Sequence, residues 1–196
     1  MIKRLETAQE IKRKEKRRQY TLAIVLIVVL FGSVFGIVVN SFGSSSSSQS
    51  NQIKYNGYTF GQAYGYYNLS LGSYNYFFTF LPNETATVPV LTNFSRKISS
   101  YSGKNVYIVY ESYSQYLELS QNLNQYGERV QGACTSGEVC PDANLPVKDC
   151  TDNLIIVKNS TINKIYEDNN CIYIEGDKAD LLKLTDEFLY RELDIK

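Results

Sequence analysis

The side chains best suited to catalysis in this chain are three carboxylates at the ends of predicted strands, Glu111, Glu175 and Asp177. A pair of such groups can hydrolyse a glycosidic bond, one as general acid and the other as base or nucleophile. The chain contains no histidine, which excludes Ser-His-Asp and Cys-His mechanisms. It also has no G-x-S-x-G, P-loop or G-x-G-x-x-G motif. A small membrane-tethered, carboxylate-based hydrolase is therefore the enzymatic alternative, but no residue is assigned a catalytic, cofactor-binding or metal-ligating role.

The cysteines form the second group of chemically competent residues: Cys134, Cys140, Cys150 and Cys171. There is no C-x-x-C motif and no histidine to complete a zinc site, so a structural metal is disfavoured and no cofactor is expected. In an oxidising compartment four cysteines most simply form two disulfides, with three connectivities open. We favour Cys134–Cys140, which closes a glycine-containing loop, together with Cys150–Cys171, which ties a strand to the loop before its neighbour.

Four N-x-[S/T] sequons follow residue 40, and each is a candidate glycosylation site in an extracytoplasmic domain. Their acceptor residues are Asn68, Asn83, Asn93 and Asn159. The region is rich in Asn, Ser and Thr, so such motifs also arise there by chance.

Tyrosine is strongly enriched, and sixteen of the seventeen tyrosines follow Tyr20. Seven of them fall between residues 55 and 76. Tyrosine offers a large rigid contact area with a polar tip, so it is enriched at recognition surfaces. We predict a binding surface at Tyr66, Tyr67 and Tyr74 for another envelope protein or a glycan. The alternative is that the tyrosines merely furnish both faces of a twisted sheet.

The elements that position these residues begin with a predicted membrane anchor. Residues 1–19 form a basic cytoplasmic segment, and residues 20–39 form a transmembrane helix that includes nineteen uncharged residues, Thr21–Val39. Residues 1–20 carry eight basic and three acidic side chains (+5), whereas the remainder carries twelve basic and seventeen acidic ones (−5). Basic flanks stay cytoplasmic, so we expect a single-pass protein of the cell membrane with its C-terminal domain outside.

Two other interpretations of the apolar segment are weaker. A cleavable signal peptide has a shorter core and an A-x-A-like cleavage site, which is missing after Val39. A pilin-like filament subunit would be cut near Arg18-Gln19, but the usual glycine is absent there. Within the span, Gly32 and Gly36 form a G-x-x-x-G motif that suits a helix homodimer.

The predicted partners follow from this topology. The anchor binds the lipid bilayer, and the outer domain is expected to meet an envelope protein or glycan. Nucleic acid is excluded, because the basic segment has no interleaved aromatic residues and the outer domain is acidic. Residues 40–51 are a Ser-rich flexible linker, and residues 52–196 make one extracytoplasmic domain of ordinary size.

Within that domain the patterns predict a meander, a sheet and helices. The meander strands are Ile53–Phe60, Gly65–Leu71 and Tyr74–Leu81, followed by a short helix over Leu91–Ser100. Asn105–Tyr110 is a strand buried on both faces, and a capping box at Ser112 and Gln115 begins a helix that runs to about Arg129 and includes Val130 in its apolar stripe.

The C-terminal part completes the sheet. Its predicted strands are Leu154–Val157, Ile162–Glu167 and Cys171–Glu175, and a last helix has Asp177 as its N-cap. The expected fold is therefore α+β or α/β: a small mixed sheet with two to three helices, preceded by a tyrosine-rich β-meander and tethered to one N-terminal transmembrane helix.

Three segments carry a family resemblance: Phe80-Leu-Pro-Asn-Glu84, Cys171-Ile-Tyr-Ile-Glu-Gly-Asp177 and Asp186-Glu-Phe-Leu-Tyr-Arg-Glu-Leu193. They resemble segments of uncharacterised single-pass envelope proteins of archaea. The resemblance covers most of the outer domain. It implies an envelope location and a shared fold, and it implies no activity.

Overall fold

In a computed structural model of the chain, which describes residues 20–21, 52–137, 140 and 142–196, the tyrosine-rich segment folds as an antiparallel β-meander. Its strands are β1 (Ile53–Tyr55), β2 (Tyr58–Ala63), β3 (Tyr66–Leu71) and β4 (Tyr74–Phe78). The single strand predicted over Ile53–Phe60 is wrong, because Asn56 and Gly57 adopt φ of 45° and 84°. Two consecutive positive φ values make a tight hairpin turn, which separates β1 from β2.

A second, six-stranded sheet has the order β5-β11-β12-β10-β6-β7. Its strands are β5 (Leu91–Asn93), β6 (Asn105–Val109), β7 (Arg129–Gly132), β10 (Asn153–Asn159), β11 (Lys164–Asp168) and β12 (Cys171–Gly176). The central strands β6, β10 and β12 run parallel, and β11 and β12 form an antiparallel hairpin. Residues 154–157 of β10 are all buried, as expected of a parallel strand covered on both faces. A separate two-stranded sheet consists of β8 (Cys134–Thr135) and β9 (Val147–Lys148).

Three α-helices accompany the sheets in the described part of residues 52–196, and they make the fold mixed α+β. They are α1 (Pro82–Thr85), α2 (Tyr113–Leu123) and α3 (Leu181–Glu192). The predicted capping box of α2 is confirmed, since the Ser112 amide donates to Gln115 Oε1 at 3.0 Å. The predicted extent of α2 to Arg129 is wrong. Its apolar spacing continues to Val130, but that residue pairs with Val106 of β6 as part of β7.

Two other predicted helix features are also wrong. The segment Leu91–Ser100 forms the edge strand β5 and, after an extended stretch, a 3-10 helix (Ile98–Tyr101), because Leu91–Asn93 gains parallel pairing with β11. The last helix has Asp180 at its N-cap instead of Asp177. The Asp177 carboxylate accepts a bond from the Ala179 amide (2.9 Å), a local turn that precedes the helix.

The helices α2 and α3 contact both sheets, and one hydrophobic core joins all these layers. The ring of Tyr190 in α3 lies 4.3 Å from that of Phe78 and 6.1 Å from that of Phe60 in the meander. On the other face of the six-stranded sheet, Tyr107 and Leu154 pack around the two disulfide-bonded residues Cys150 and Cys171. The meander is therefore attached to the rest of the domain mainly through the helices.

Both disulfides favoured from the sequence are formed. Cys134 pairs with Cys140 and Cys150 with Cys171, with Cα atoms 5.7 and 5.0 Å apart. Cys171 begins β12 and Cys150 precedes β10, its neighbour in the sheet. The second disulfide therefore ties a strand to the loop before the adjacent strand, and both fit an extracellular domain.

The predicted anchor lies outside the described residues apart from Tyr20 and Thr21. The same holds for the basic segment 1–19, for Gly32 and Gly36, and for the linker 40–51. Within the part of the chain that the structure describes, no helix has the length and apolar character needed to span a membrane.

Candidate functional site

The meander has one face on the core and one face exposed. Phe60, Leu69 and Tyr76 point inward and are almost inaccessible. Because successive side chains of a strand alternate, the intervening residues form the opposite side, which we call the outer face. It consists of Lys54, Thr59, Gly61, Ala63, Tyr66, Asn68, Ser70, Asn75 and Phe77.

Two exposed aromatic rings dominate the outer face. Tyr66 and Phe77 are 44% and 41% exposed. Asn68 is next to both rings: it follows Tyr66 by two residues along β3 and lies opposite Phe77 of β4, with Gly61 of β2 on its other side. A Cβ atom on Gly61 would lie 2.5 Å from Asn68 Oδ1, so the amide of Asn68 rests over the backbone at that glycine. The outer face therefore has two aromatic rings next to the amide of Asn68, and the neighbouring residues on β2 are small, Gly61 and Ala63.

The electrostatic character of the meander differs from that of the rest of the domain. Lys54 is the only charged residue between positions 52 and 83, whereas residues 21–196 together carry a net charge of −5 (twelve basic, seventeen acidic). The polar groups of the outer face are hydroxyls and amides, such as Ser70 Oγ, which donates to Asn75 Oδ1 at 2.6 Å. Aromatic rings with neutral hydrogen-bonding groups are typical of recognition surfaces.

The three tyrosines of the predicted binding surface do not lie together. Tyr66 belongs to the outer face, but Tyr67 points the other way and packs against the core. Tyr74 is also on the inner side, where its ring stacks on that of Tyr126 at 4.9 Å. Of the three, only Tyr66 remains a candidate contact on this face. Phe77 was not among the predicted contacts, although in a strand it lies on the face opposite to that of Tyr74 and Tyr76.

Helix α2 covers the free edge of β4 with side chains that pair with its backbone. Asn122 accepts from the Phe77 amide (2.9 Å) and donates to the Phe77 carbonyl (2.8 Å). Gln125 does the same at Asn75, with distances of 3.0 and 2.7 Å. Asn122 lies in the last turn of α2 and Gln125 lies just after its end, and the two side chains meet alternate residues of β4. These amides take the place of a fifth strand.

The carboxylates considered for the hydrolase alternative have structural partners. Glu175 is 5% exposed and accepts from Tyr166 Oη (2.7 Å), with Lys158 and Lys164 at 3.2 and 3.1 Å. Burial alone raises a carboxyl pKa, but here the hydroxyl and the two ammonium groups outweigh it and lower the pKa of Glu175. Its negative charge is thus already neutralised within the fold.

The other two candidates have local roles. Glu111 Oε1 accepts from the Asn159 amide at 3.3 Å, and Asp177 makes the turn before α3. No contact joins Glu111, Glu175 and Asp177 to one another in the described part of the chain. The described residues also contain no group of three or more His, Cys, Asp or Glu side chains placed to hold a metal ion.

Buried carboxyl groups on α2 and α3 were missed by the sequence analysis. Glu118, Asp186 and Glu192 are 4%, 0% and 2% exposed. The signal was present in α3, because Asp186 has apolar residues at one helical turn in both directions, Leu182 and Leu189. A carboxyl group on the apolar stripe of a helix must be buried, and acids are rarely fully buried unless they are partnered.

The four candidate glycosylation sites differ in their surroundings. Asn83, Asn93 and Asn159 are exposed, while Asn68 is half-buried on the outer face. The hydroxyl of Thr85, which completes the Asn83 sequon, is buried and donates to Glu187 Oε2 at 2.7 Å. A glycan at Asn68 would occupy the centre of the outer face.

Edge strand β5 borders a shallow groove with exposed apolar side chains. Leu91 and Ile162 are 71% and 57% exposed there. The groove is open to solvent and carries no convergent charged groups, since its lining is Pro89, Val90, Leu91, Thr161, Ile162 and Asn163. The outer face has both aromatic and hydrogen-bonding groups and is therefore the better candidate site.

With the fold and the outer face described, the chain can be compared with known proteins. No family model, no curated protein and no solved structure matches it. The class defined by the fold is a disulfide-bonded, mixed α+β domain with an appended antiparallel meander.

Proposed function

We propose that this chain is a membrane-anchored extracytoplasmic protein that binds another component of the cell envelope through the outer face of its meander. Its first fifty residues support an anchor with the N-terminus in the cytoplasm. The disulfides support an oxidising location for residues 52–196. Binding, and not hydrolysis, is favoured because the predicted carboxylates are engaged within the fold.

The observation that carries this proposal is the exposure of Tyr66 and Phe77, the two aromatic neighbours of Asn68 on the outer face. Exposed aromatic groups surrounded by polar ones mark interaction surfaces. The near absence of charge on the meander favours a neutral partner surface, either a glycan or an uncharged patch of an envelope protein. Aromatic rings can stack on either one.

The proposal is tested with the full-length chain in its native membranes. In a variant with Tyr66→Ser and Phe77→Ser, we expect co-purification of the partner to fall at least tenfold, because buried aromatic contacts at interfaces contribute about 2 kcal/mol or more. Tyr113→Ser is the matched control, since Tyr113 is 66% exposed but lies on α2. Unchanged capture by the double variant, or equal losses in both variants, would contradict the proposal.

The pilin-like alternative predicts a different processed form. A mature protein that begins at Gln19 would support a filament subunit, whereas an intact N-terminus supports the anchor. Mass spectrometry of the purified chain distinguishes the two.

A further inference from the structure

Two buried carboxyl groups meet where the meander joins the helices. Glu118 of α2 accepts both the amide and the hydroxyl of Thr79 at 2.8 Å. Asp186 of α3 accepts the amide of the next residue, Phe80, through Oδ2 at 2.8 Å. The two helices therefore hold adjacent residues of the segment between β4 and α1. They do so with groups that carry the same charge when both are ionised.

The hydrogen-bond accounting at this site requires a proton. Both oxygens of Glu118 have donors, but Asp186 Oδ1 is fully buried and no donor faces it. An ionised Asp186 would leave that oxygen unpaired beside the negative charge of Glu118, at a high cost in a low-dielectric interior. A proton on Asp186 that is donated to Glu118 satisfies the oxygen and removes the repulsion.

The neighbouring titratable groups on α1 and α3 do not donate a hydrogen bond to Asp186 Oδ1 in its place. The hydroxyl of Tyr190 donates to the carbonyl of Phe80 at 2.6 Å. Glu84 of α1 accepts from the amide of Leu81 at 2.7 Å. Burial raises the pKa of Tyr190, so its hydroxyl is neutral, and its proton is already used at the carbonyl of Phe80; neither Tyr190 nor Glu84 carries a positive charge that could neutralise Asp186.

The nearby cations are engaged elsewhere. Arg191 and Lys196 both bind Glu187. Lys183 lies over the ring of Phe80, with its Nζ 5.4 Å from the ring centroid. In the described part of the chain, no cation forms an ion pair with Glu118 or Asp186.

We propose that Glu118 and Asp186 share one proton, that this proton holds α2 and α3 against Thr79 and Phe80, and that its loss in alkaline solution frees the edge of β4. The edge is freed because Asn122, which covers it at Phe77, belongs to the same helix as Glu118, and Gln125, which covers it at Asn75, directly follows that helix. The pair is thus a pH-sensitive attachment of the meander to the domain. This inference does not depend on the proposed binding function.

The direction of the pH dependence follows from the site. Burial and the adjacent Glu118 carboxylate raise the pKa of Asp186 well above the usual range. The unfolded chain has an aspartate pKa of about 4, so the folded state holds the proton more tightly. The stabilisation is complete below pH of about 4 and is lost as the pH rises through the folded pKa. Each pH unit in that interval lowers the folding equilibrium constant up to about tenfold.

A second buried carboxyl group, that of Glu192, also makes the fold less stable as the pH rises. Its effect must be distinguished from that of the Glu118–Asp186 pair. Glu192 accepts from Tyr101 Oη at 3.1 Å, its Oε2 has no partner, and burial raises its pKa. In contrast, although burial opposes it, the contacts with Lys196 and Thr85 lower the pKa of Glu187. Glu187 therefore stays ionised from pH 5 to pH 9, and it does not make stability depend on pH in that range.

The test compares the full-length chain with Asp186→Asn, solubilised in a mild detergent. Asparagine keeps an acceptor for the Phe80 amide and carries a permanent N–H donor toward Glu118. We expect equal urea midpoints at pH 5 and a smaller decline of the midpoint up to pH 9 in the variant. Hydrogen exchange should show that protection of the Asn75 and Phe77 amides falls with pH only in the wild type. The same decline and the same loss of protection in both proteins would overturn the proposal.

Two further variants separate this pair from general effects. Glu192→Gln should remove only the part of the decline of the urea midpoint with pH that Glu192 causes. It should leave the pH-dependent hydrogen exchange of the Asn75 and Phe77 amides unchanged. Glu118→Gln should also flatten the decline of the urea midpoint with pH, because Oε1 of the amide can keep the Thr79 amide while its nitrogen donates to the Thr79 hydroxyl and to Asp186 Oδ1. If Asp186→Asn does not fold, carboxyl ¹³C titration of the wild type decides. Titration of Asp186 far above the usual aspartate range supports the proposal, and titration of Asp186 at its ordinary pKa refutes it.

Discussion

Glu175 illustrates at the residue scale why a carboxylate at a strand end is not thereby catalytic. The sequence analysis placed it correctly near the end of β12. The structure surrounds it with Tyr166, Lys158 and Lys164, which neutralise it. Single-sequence patterns show which positions are apolar, but they do not show which distant cation reaches a given acid. The cysteines are the opposite case, because a glycine-containing loop and the positions of the predicted strands favoured the pairing that the structure has.

The two disulfides should contribute unequally to stability. Their cysteines are 6 residues apart for Cys134–Cys140 and 21 apart for Cys150–Cys171. Because a longer loop restricts the unfolded chain more, removing the second pair with Cys150→Ala and Cys171→Ala should lower the free energy of unfolding by roughly 3 kcal/mol. The corresponding loss for Cys134→Ala and Cys140→Ala is roughly 2 kcal/mol. Urea unfolding measures both, and a larger loss for the shorter loop would contradict this order.

At the scale of elements, the contact of α2 with β4 explains how the meander avoids one exposed sheet edge. An unpaired edge is a template for aggregation, and proteins usually cover or charge it. Here the cover consists of side-chain amides on a helix, with Asn122 at its centre and 0% exposed. The opposite edge, β1, is three residues long.

Asn122 should therefore be essential for the attachment of the meander. Asn122→Leu leaves the amide and carbonyl of Phe77 without partners in a buried site, and we expect a loss of about 2–4 kcal/mol in the free energy of unfolding. Gln125→Leu is the matched control, because its contacts with Asn75 are exposed and water can replace them. Urea unfolding of both variants measures the difference. Similar small losses in the two would show that the edge contacts are dispensable.

Two elements with strong local signals were predicted, whereas one element whose type is decided by a distant partner was not. The capping box at Ser112 and the apolar run Asn105–Tyr110 act within a few residues, so both appear in the structure as expected. Strand β7 could not be predicted, because Val130 fits a helical stripe as well as a strand and only pairing with β6 decides. The Asn56-Gly57 turn is a local signal as well, but one strand was predicted over Ile53–Phe60 without it.

At the scale of the whole molecule, the described domain combines a nearly uncharged meander with an acidic sheet-and-helix body. The helices that carry the shared-proton pair lie between them, so the meander is the part whose attachment depends on pH. The candidate site could be placed on the meander from its tyrosine content. The strand-pairing register was needed to tell which residues face outward, because Tyr66 and Tyr67 are adjacent in sequence but lie on opposite faces.

The most direct test of binding through the outer face is photo-cross-linking in native membranes. A photoreactive phenylalanine analogue is placed at position 77 in one protein and at position 113 in another, because both side chains are exposed and only the first is on the outer face. We expect a discrete adduct with an envelope protein or glycan from position 77 and none from position 113. An adduct from position 113 alone, or from neither position, would contradict the account.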